Sequence, residues 1–345
     1  MMRRRSLAAA CGLVLLGLAL GGAAQAVADE PVHLRIGWVV VPADIMPLIF
    51  HQPGWAPHAG KTYVPELTHF TGTPTEMTAL ATGDLDIAAL AYSTLALGVE
   101  NAGMDDLRVI ADVFQDGVPG YHTNGMLVRN DSGIKTVDDL KHKIVATNQT
   151  GSAVDVAVRA MLAKHNLQDK RDLTMIEVRF PDMKAMLKEK KVDLITAVNP
   201  FSFDPELATF AHPLFTQEEA VGRTQMIVVV ARQGFIEKNR AALVDFLEDY
   251  IAAQHRLSDP AHRDETLKLI ADVTKQPESY YQDWVFTKQD YYRDPGGLPD
   301  MTALQQNVDL AKQLGFLHAP LEVGKYADLT IAKEADKRIE AAANH

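Results

Sequence analysis

The segment Thr71-Gly72-Thr73-Pro74-Thr75-Glu76 carries the residue types that open a helix and could hold an anion there. Thr73 is the expected N-cap, Pro74 suits the first turn, and Glu76 is placed to close a capping box. Backbone N–H groups left free at such a start, with the positive end of the helix dipole, bind the oxygens of carboxylate, sulfonate or nitrate. Thr150-Gly151-Ser152 is a second start of this kind, with small residues that let a ligand approach the backbone. Other candidates stand where strands give way to loops: Trp38, the pair Tyr92 and Ser93, Tyr121 and His122 within Gly120–Asn124, and Asn199 and Phe201. Any one of these aromatics could simply be packing, but several at one end of several strands would suit a flat or apolar ligand body. Arg223 is the candidate counter-ion, with a surface ion pair as its competing fate. The set points to a small organic anion, an aromatic carboxylate or sulfonate ahead of bare nitrate.

Covalent and metal chemistry find little footing. His51, His58 and His69 sit among prolines without the i, i+4 helical spacing of a zinc site. No G-x-S-x-G elbow, Walker A sequence or G-x-G-x-x-G turn is present. The single cysteine is Cys11. No catalytic residue, metal or cofactor is therefore expected.

Cys11 lies inside an export signal. Arg3, Arg4 and Arg5 precede an apolar run from Leu7 to Leu20, and Ala24-Gln25-Ala26 and Ala26-Val27-Ala28 offer cleavage sites. The run is short and glycine-rich for a permanent membrane span. Cleavage after Ala28 would leave a periplasmic chain of about 315 residues without thiols, which excludes disulfides and thiolate catalysis. Losing three arginines, with no acid in residues 1–28, takes the net charge from −11 to −14. Such a chain is a poor partner for nucleic acid.

These candidates need strands and helices to position them, and the pattern supplies both in alternation. His33–Val40 reads as a first strand, Thr75–Thr82 as a helix, and Leu85–Leu90 as a short buried strand; Leu107–Phe114 and Gly125–Arg129 are further strands. A second series has helices at 137–140, 153–165 and 182–190, and strands at 143–147, 174–179 and 193–198. Met226–Val230 is a β-branched run, and the remainder is mostly helical with proline breaks. The alternation predicts an α/β fold with largely parallel sheets flanked by helices. The segments 80–88 and 187–195 share a leucine-to-aspartate spacing, each running from a helix into a strand. Two similar lobes would follow, 29–127 with 228–345 and 128–227, joined by two crossovers near Gly125–Arg129 and Met226–Ala231.

Several of these segments carry a family resemblance. Gly37-Trp38, Gly72-Thr73-Pro74 and Gly83-Asp84-Leu85-Asp86-Ile87-Ala88 come in the order of the nitrate/sulfonate/taurine-type solute-binding proteins of ABC transporters. Gly133-Ile134-Lys135-Thr136-Val137-Asp138-Asp139-Leu140-Lys141, followed by a strand and Thr150-Gly151-Ser152, is similar too. The resemblance covers about residues 32–260. It departs at Pro42–Pro65, which lacks the usual short helix motif after the first strand, so ligand identity does not transfer.

The resemblance implies a type II periplasmic-binding-protein fold whose lobes close on a ligand by hinge motion. It implies a monomer that serves a permease and its ATPase at the inner membrane. Capture of a thiamin-precursor pyrimidine or other neutral heterocycle is the alternative ligand reading. A cleft enzyme of the menaquinone-precursor type, and a ligand-sensing partner of a membrane kinase, are the alternatives from other classes.

Overall fold

The computed structural model describes residues 30–344; the expected signal segment, its cleavage point and Cys11 lie outside the described residues. The chain opens with β1 (Val32–Trp38), α1 (Met46–His51), β2 (Tyr63–His69), α2 (Thr73–Thr82), β3 (Ile87–Ala91), α3 (Tyr92–Ala102) and β4 (Leu107–Asp116). It continues through β5 (Gly125–Arg129), β6 (Ile144–Thr147), α4 (Ala153–Lys164), β7 (Thr174–Glu177), α5 (Phe180–Lys188) and β8 (Leu194–Ala197). Then come α6 (Leu207–Phe210), β9 (Ala211–Thr216), α7 (Gln217–Val221), β10 (Thr224–Arg232) and α8 (Gln233–Ser258). The helices α9 (Arg263–Thr274), α10 (Met301–Gln313) and α11 (Thr330–Ala343) complete it.

Two five-stranded sheets form, in the orders β2-β1-β3-β10-β4 and β7-β6-β8-β5-β9. In the first, β1 pairs parallel with β2 and β3, while β10 runs antiparallel to both β3 and β4. In the second, β6 pairs parallel with β7 and β8, while β5 is antiparallel to β8 and β9. Each sheet is thus parallel except for one reversed strand. Every residue of β3, β5 and β8 is buried, as expected when helices cover both faces of a sheet. The first core joins the first sheet to α1, α3, α8 and α9, and two smaller cores lie within the second lobe.

The crossings fall beside the expected stretches rather than within them. Gly125–Arg129 and Met226–Ala231 are paired inside sheets. The chain passes between sheets over residues 117–124 and again at Gly222-Arg223. Gly117 and Gly222 both have positive φ, 70° and 74°, a backbone state that side chains with a β-carbon resist. The crossings run side by side, since a β-carbon on Gly117 would stand 3.4 Å from the Gly222 carbonyl oxygen.

The Pro42–Pro65 stretch holds a helix after all. Pro47 sits in the first turn of α1, whose Met46, Pro47, Leu48 and Ile49 are buried, and β2 follows at the sheet edge. Proline-rich composition hides both elements, because an early-turn proline and an edge-strand proline are each tolerated.

Candidate functional site

A cavity of about 70 Å³ lies where loops at the strand ends of both sheets meet. Val39 and Val40 follow β1, and Ala89 and Ala91 lie on β3. Asn148 follows β6, and Val198 and Asn199 follow β8. Ligands in α/β folds sit outside the carboxyl ends of parallel strands, and here both lobes offer such ends to one space. Phe114 and Tyr291 form a further wall, stacked with centroids 4.3 Å apart.

Two helix starts reach the cavity. Thr73 lines it at the start of α2, and Ser152, Ala153 and Val154 line it at the start of α4. Their local chemistry differs. Ser152 is the N-cap of α4 and accepts from the Asp155 N–H at 3.3 Å. At α2 the N-cap is Gly72, without a side-chain cap, so the expected Thr73–Glu76 capping box does not form. Glu76 turns inward instead and takes the Ala89 N–H of β3 at 2.5 Å. That group lies beyond the single β1–β3 bridge and needs an acceptor. Burial holds the Glu76 carboxyl well above the ordinary carboxylate range, and the Asp44 charge adds to the shift.

Asn199 also lines the cavity, but its amide is engaged: Nδ2 donates to Asp290 at 2.9 Å and Oδ1 accepts from Ser202. Ser93 and Gly151 meet just outside, the Ser93 hydroxyl donating to the Gly151 carbonyl at 2.8 Å. This bond links α3 of the first lobe to the α4 start of the second.

The remaining candidates are elsewhere. Trp38 packs against His69 with centroids 4.5 Å apart, in an outer groove that also holds Phe201 and Arg179. That groove shares Val39, Val40 and Phe180 with the cavity. Tyr92 is fully buried in the core. Burial and the Asp155 and Asp116 charges push its phenol above the usual range. Tyr121 meets Tyr292 edge to face at 5.2 Å. His122 lies between Phe203 and Tyr291, and burial pushes its pKa down to about 4. The Thr150 N–H donates to Glu177 at 2.8 Å, in a separate groove that the second lobe forms with Leu314, Gly315 and Phe316. Arg223 does not line the cavity. It pairs with Asp300 at 3.0 Å and with Gln115 at 2.9 Å, so the competing surface-pair reading describes its place.

The residues that sequence reasoning misses are Asp44, Phe180 and Tyr291. Asp44 follows β1 in the turn Val40-Val41-Pro42-Ala43-Asp44, and its Oδ2 accepts from the Val39 N–H at 2.9 Å. A lone acid in an apolar run directly after a strand is the signal that could have found it. Tyr291 comes from a C-terminal segment with no periodic pattern to flag it. Its hydroxyl accepts from the Asn199 N–H at 3.0 Å and donates to Asn124 at 2.5 Å. The same segment clasps the second lobe through Trp284, whose ring stacks on Phe203 at 4.5 Å and 4°.

This architecture has solved relatives. The periplasmic aliphatic sulphonate binding protein SsuA of Escherichia coli matches with a TM-score of 0.66 at 19% identity, over 88% of this chain and 99% of that one. The periplasmic nitrate-binding protein NrtA of Synechocystis PCC 6803 matches at 0.69 and 17%, over 91% of each chain. The desulfurization enzyme DSZB shares the fold as well, at 0.62 and 15%, over 89% of this chain and 99% of that one. The fold is therefore the two-lobe periplasmic-binding-protein type. The family model of the NMT1-like family matches residues 27–271, well over half of the sequence, and the chain belongs to that family.

Proposed function

We propose that this chain is the periplasmic substrate-binding component of an ABC importer. It would capture a small molecule between its lobes by hinge closure and deliver it to a membrane permease and its ATPase. The observation that carries this reading is the cavity formed jointly by strand-end loops of both sheets, beside two paired crossings marked by positive-φ glycines. Residues 31–116 with 223–344 would form one lobe, and 117–222 the other. Closure is favoured when the second lobe adds contacts to a ligand already held by the first.

The sulphonate- and nitrate-binding relatives support solute capture. The likeness to a desulfurization enzyme keeps catalysis in view, and a cysteine-to-serine mutant of that enzyme was solved with biphenyl-2-sulfinic acid. The described residues of this chain contain no cysteine, which supports binding over that chemistry. Of the expected anion site, the helix starts reach the cavity and the arginine does not.

The test is to purify the exported chain, denature it and identify the released small molecules by mass spectrometry. The reading expects a compound that, returned to the refolded chain, raises its melting temperature by mass action and is recovered unchanged. Conversion of that compound, or periplasmic extracts that yield no compound raising the melting temperature, overturns it.

A further inference from the structure

Away from the cavity, the ring of His58 and the carboxylates of Asp245 and Glu248 come together. One ring nitrogen of His58 and one oxygen of each acid lie within 4.8 Å of one another. Asp245 and Glu248 stand three residues apart on α8, a spacing that puts both on one helix face. His58 comes from the turn ahead of β2, far away in the chain, so no local spacing announces the set. None of the three lines the cavity.

Asp249, 1% exposed, holds the histidine from behind. Its Oδ1 lies 2.7 Å from His58 Nδ1, and its Oδ2 accepts from the His58 backbone N–H at 3.2 Å and the Tyr63 hydroxyl at 2.7 Å. A carboxylate only accepts, so the proton sits on Nδ1 and the lone pair of Nε2 is left for a ligand. A carboxylate placed behind the ring in this way fixes its tautomer and orientation and makes the far nitrogen more basic toward a metal. The His58 carbonyl accepts from the Lys61 and Thr62 N–H groups at 3.0 Å each, so the backbone that carries the ring is fixed as well.

Positive charge already gathers at this place. Arg338 of α11 reaches Asp245 at 2.8 Å and Glu248 at 3.5 Å, and its other terminal nitrogen turns to Glu334 at 3.0 Å. The guanidinium bridges the two acids as a stand-in cation, but with Asp249 it faces three carboxylates. The surplus of negative charge suits a divalent ion. The Arg338 side chain is 42% exposed and keeps Glu334 as a partner, so it can withdraw without stranding a buried charge.

We propose that His58, Asp245 and Glu248 form a zinc site, with Asp249 as the positioning residue behind His58 and Arg338 as the group the ion displaces. Zinc takes mixed nitrogen and carboxylate ligands in a tetrahedron whose fourth corner can be water, whereas calcium and magnesium favour oxygen alone. Ligand atoms bound to one zinc stand roughly 3.4 Å apart, so the cluster contracts by rotation of side chains that are only half-buried. The ion ties the turn ahead of β2 to α8 without touching a solute in the cavity.

The experiment titrates the untagged, chelator-stripped chain with Zn²⁺ by calorimetry and with Co²⁺ by visible absorption, whose band intensity reports tetrahedral geometry. The wild-type chain is compared with His58→Gln, Glu248→Gln and Arg338→Gln. The expected result is one tight zinc equivalent per chain and tetrahedral cobalt bands. Loss of either ligand weakens zinc at least about tenfold, the scale that even outer partners of a metal site reach. Arg338→Gln binds zinc at least about twofold tighter, because the competing ion pair is gone. Histidines elsewhere on the surface bind wild type and variants alike and cancel in the comparison. Melting without metal confirms that each variant folds, and the half-buried Glu248→Gln keeps the test decisive if His58→Gln does not. Absence of a tight zinc equivalent, equal affinity in Glu248→Gln, or no gain in Arg338→Gln overturns the proposal.

Discussion

The hydroxyl of Ser93 donates to the carbonyl of Gly151 at 2.8 Å across the two lobes, with Ser93 only 1% exposed. The bond lies between α3 and the start of α4, beside the cavity that α4 opens onto, and it forms only while the lobes are together. Ser93→Ala removes the donor and leaves a buried carbonyl unpaired, a cost of about 1–2 kcal/mol to the closed state. Ligand affinity should fall about 5- to 30-fold, mainly through faster release, which stopped-flow displacement would read. An unchanged release rate would show that the bond does not hold the lobes together.

Gly37 and Glu76 share one space under the cavity. A β-carbon on Gly37 would lie 2.8 Å from the Glu76 carboxyl carbon, and Glu76 is fully buried. Gly37→Ala should therefore destabilise the chain by about 1–3 kcal/mol through overpacking. Glu76→Gln should cost less than about 1 kcal/mol, because burial already disfavours the charged form of that carboxyl and an amide oxygen can still accept from Ala89. Urea denaturation of both variants checks the contrast.

How far the sequence discloses the fold depends on what each residue type conveys locally. The sequence discloses β1, β3, α4, α5 and β8 to within a few residues, the first strand and the helices by apolar periodicity and the buried strands β3 and β8 as short apolar runs. It conceals α1 and β2, whose prolines read as breaks. Helix-start signals find the starts of α2 and α4, where Thr73 and Ser152 line the cavity, though the cap of α2 is Gly72 and not Thr73. Asp44 and Tyr291 reach the cavity only through tertiary contacts, Asp44 with a turn and Tyr291 with Asn199 and Asn124. Arg223 illustrates the converse: its partner Asp300 is 77 residues away and no local pattern announces the pair.

Stability should rise as pH falls through neutrality. Burial pushes Asp112 and Asp116 up to about 7 and Asp44 up to about 6, against about 3.9 in an unfolded chain. Because the folded state holds these protons more tightly, their contribution is full below about pH 4 and is lost as pH rises through about 7. Exposed carboxylates held low by lysines, such as Glu206 at about 2, act in the opposite sense under acidic conditions, and His122, pushed down to about 4, offsets part of the gain below about pH 6.5. The melting temperature should be higher at pH 5.5 than at pH 8. Asp116→Asn should flatten part of that slope, since it removes one of these raised groups. A melting temperature that rises from pH 5.5 to pH 8 would contradict this assignment.

Arg223 is half exposed and already paired with Asp300, so Arg223→Ala should leave ligand affinity within about twofold and cost less than about 1 kcal/mol of stability. A tenfold loss of affinity in calorimetry would return the arginine to the binding site.

Hinge closure on a ligand is tested most directly by a distance across the lobes. The described residues contain no cysteine, so cysteines introduced at exposed Thr78 on α2 and Ala185 on α5, in the chain cleaved of its signal, carry spin labels selectively. Pulsed electron resonance should show a broad or two-component distance distribution without ligand, and a single shorter distance with the compound released from the purified protein. One distance, identical with and without that compound, would contradict the account.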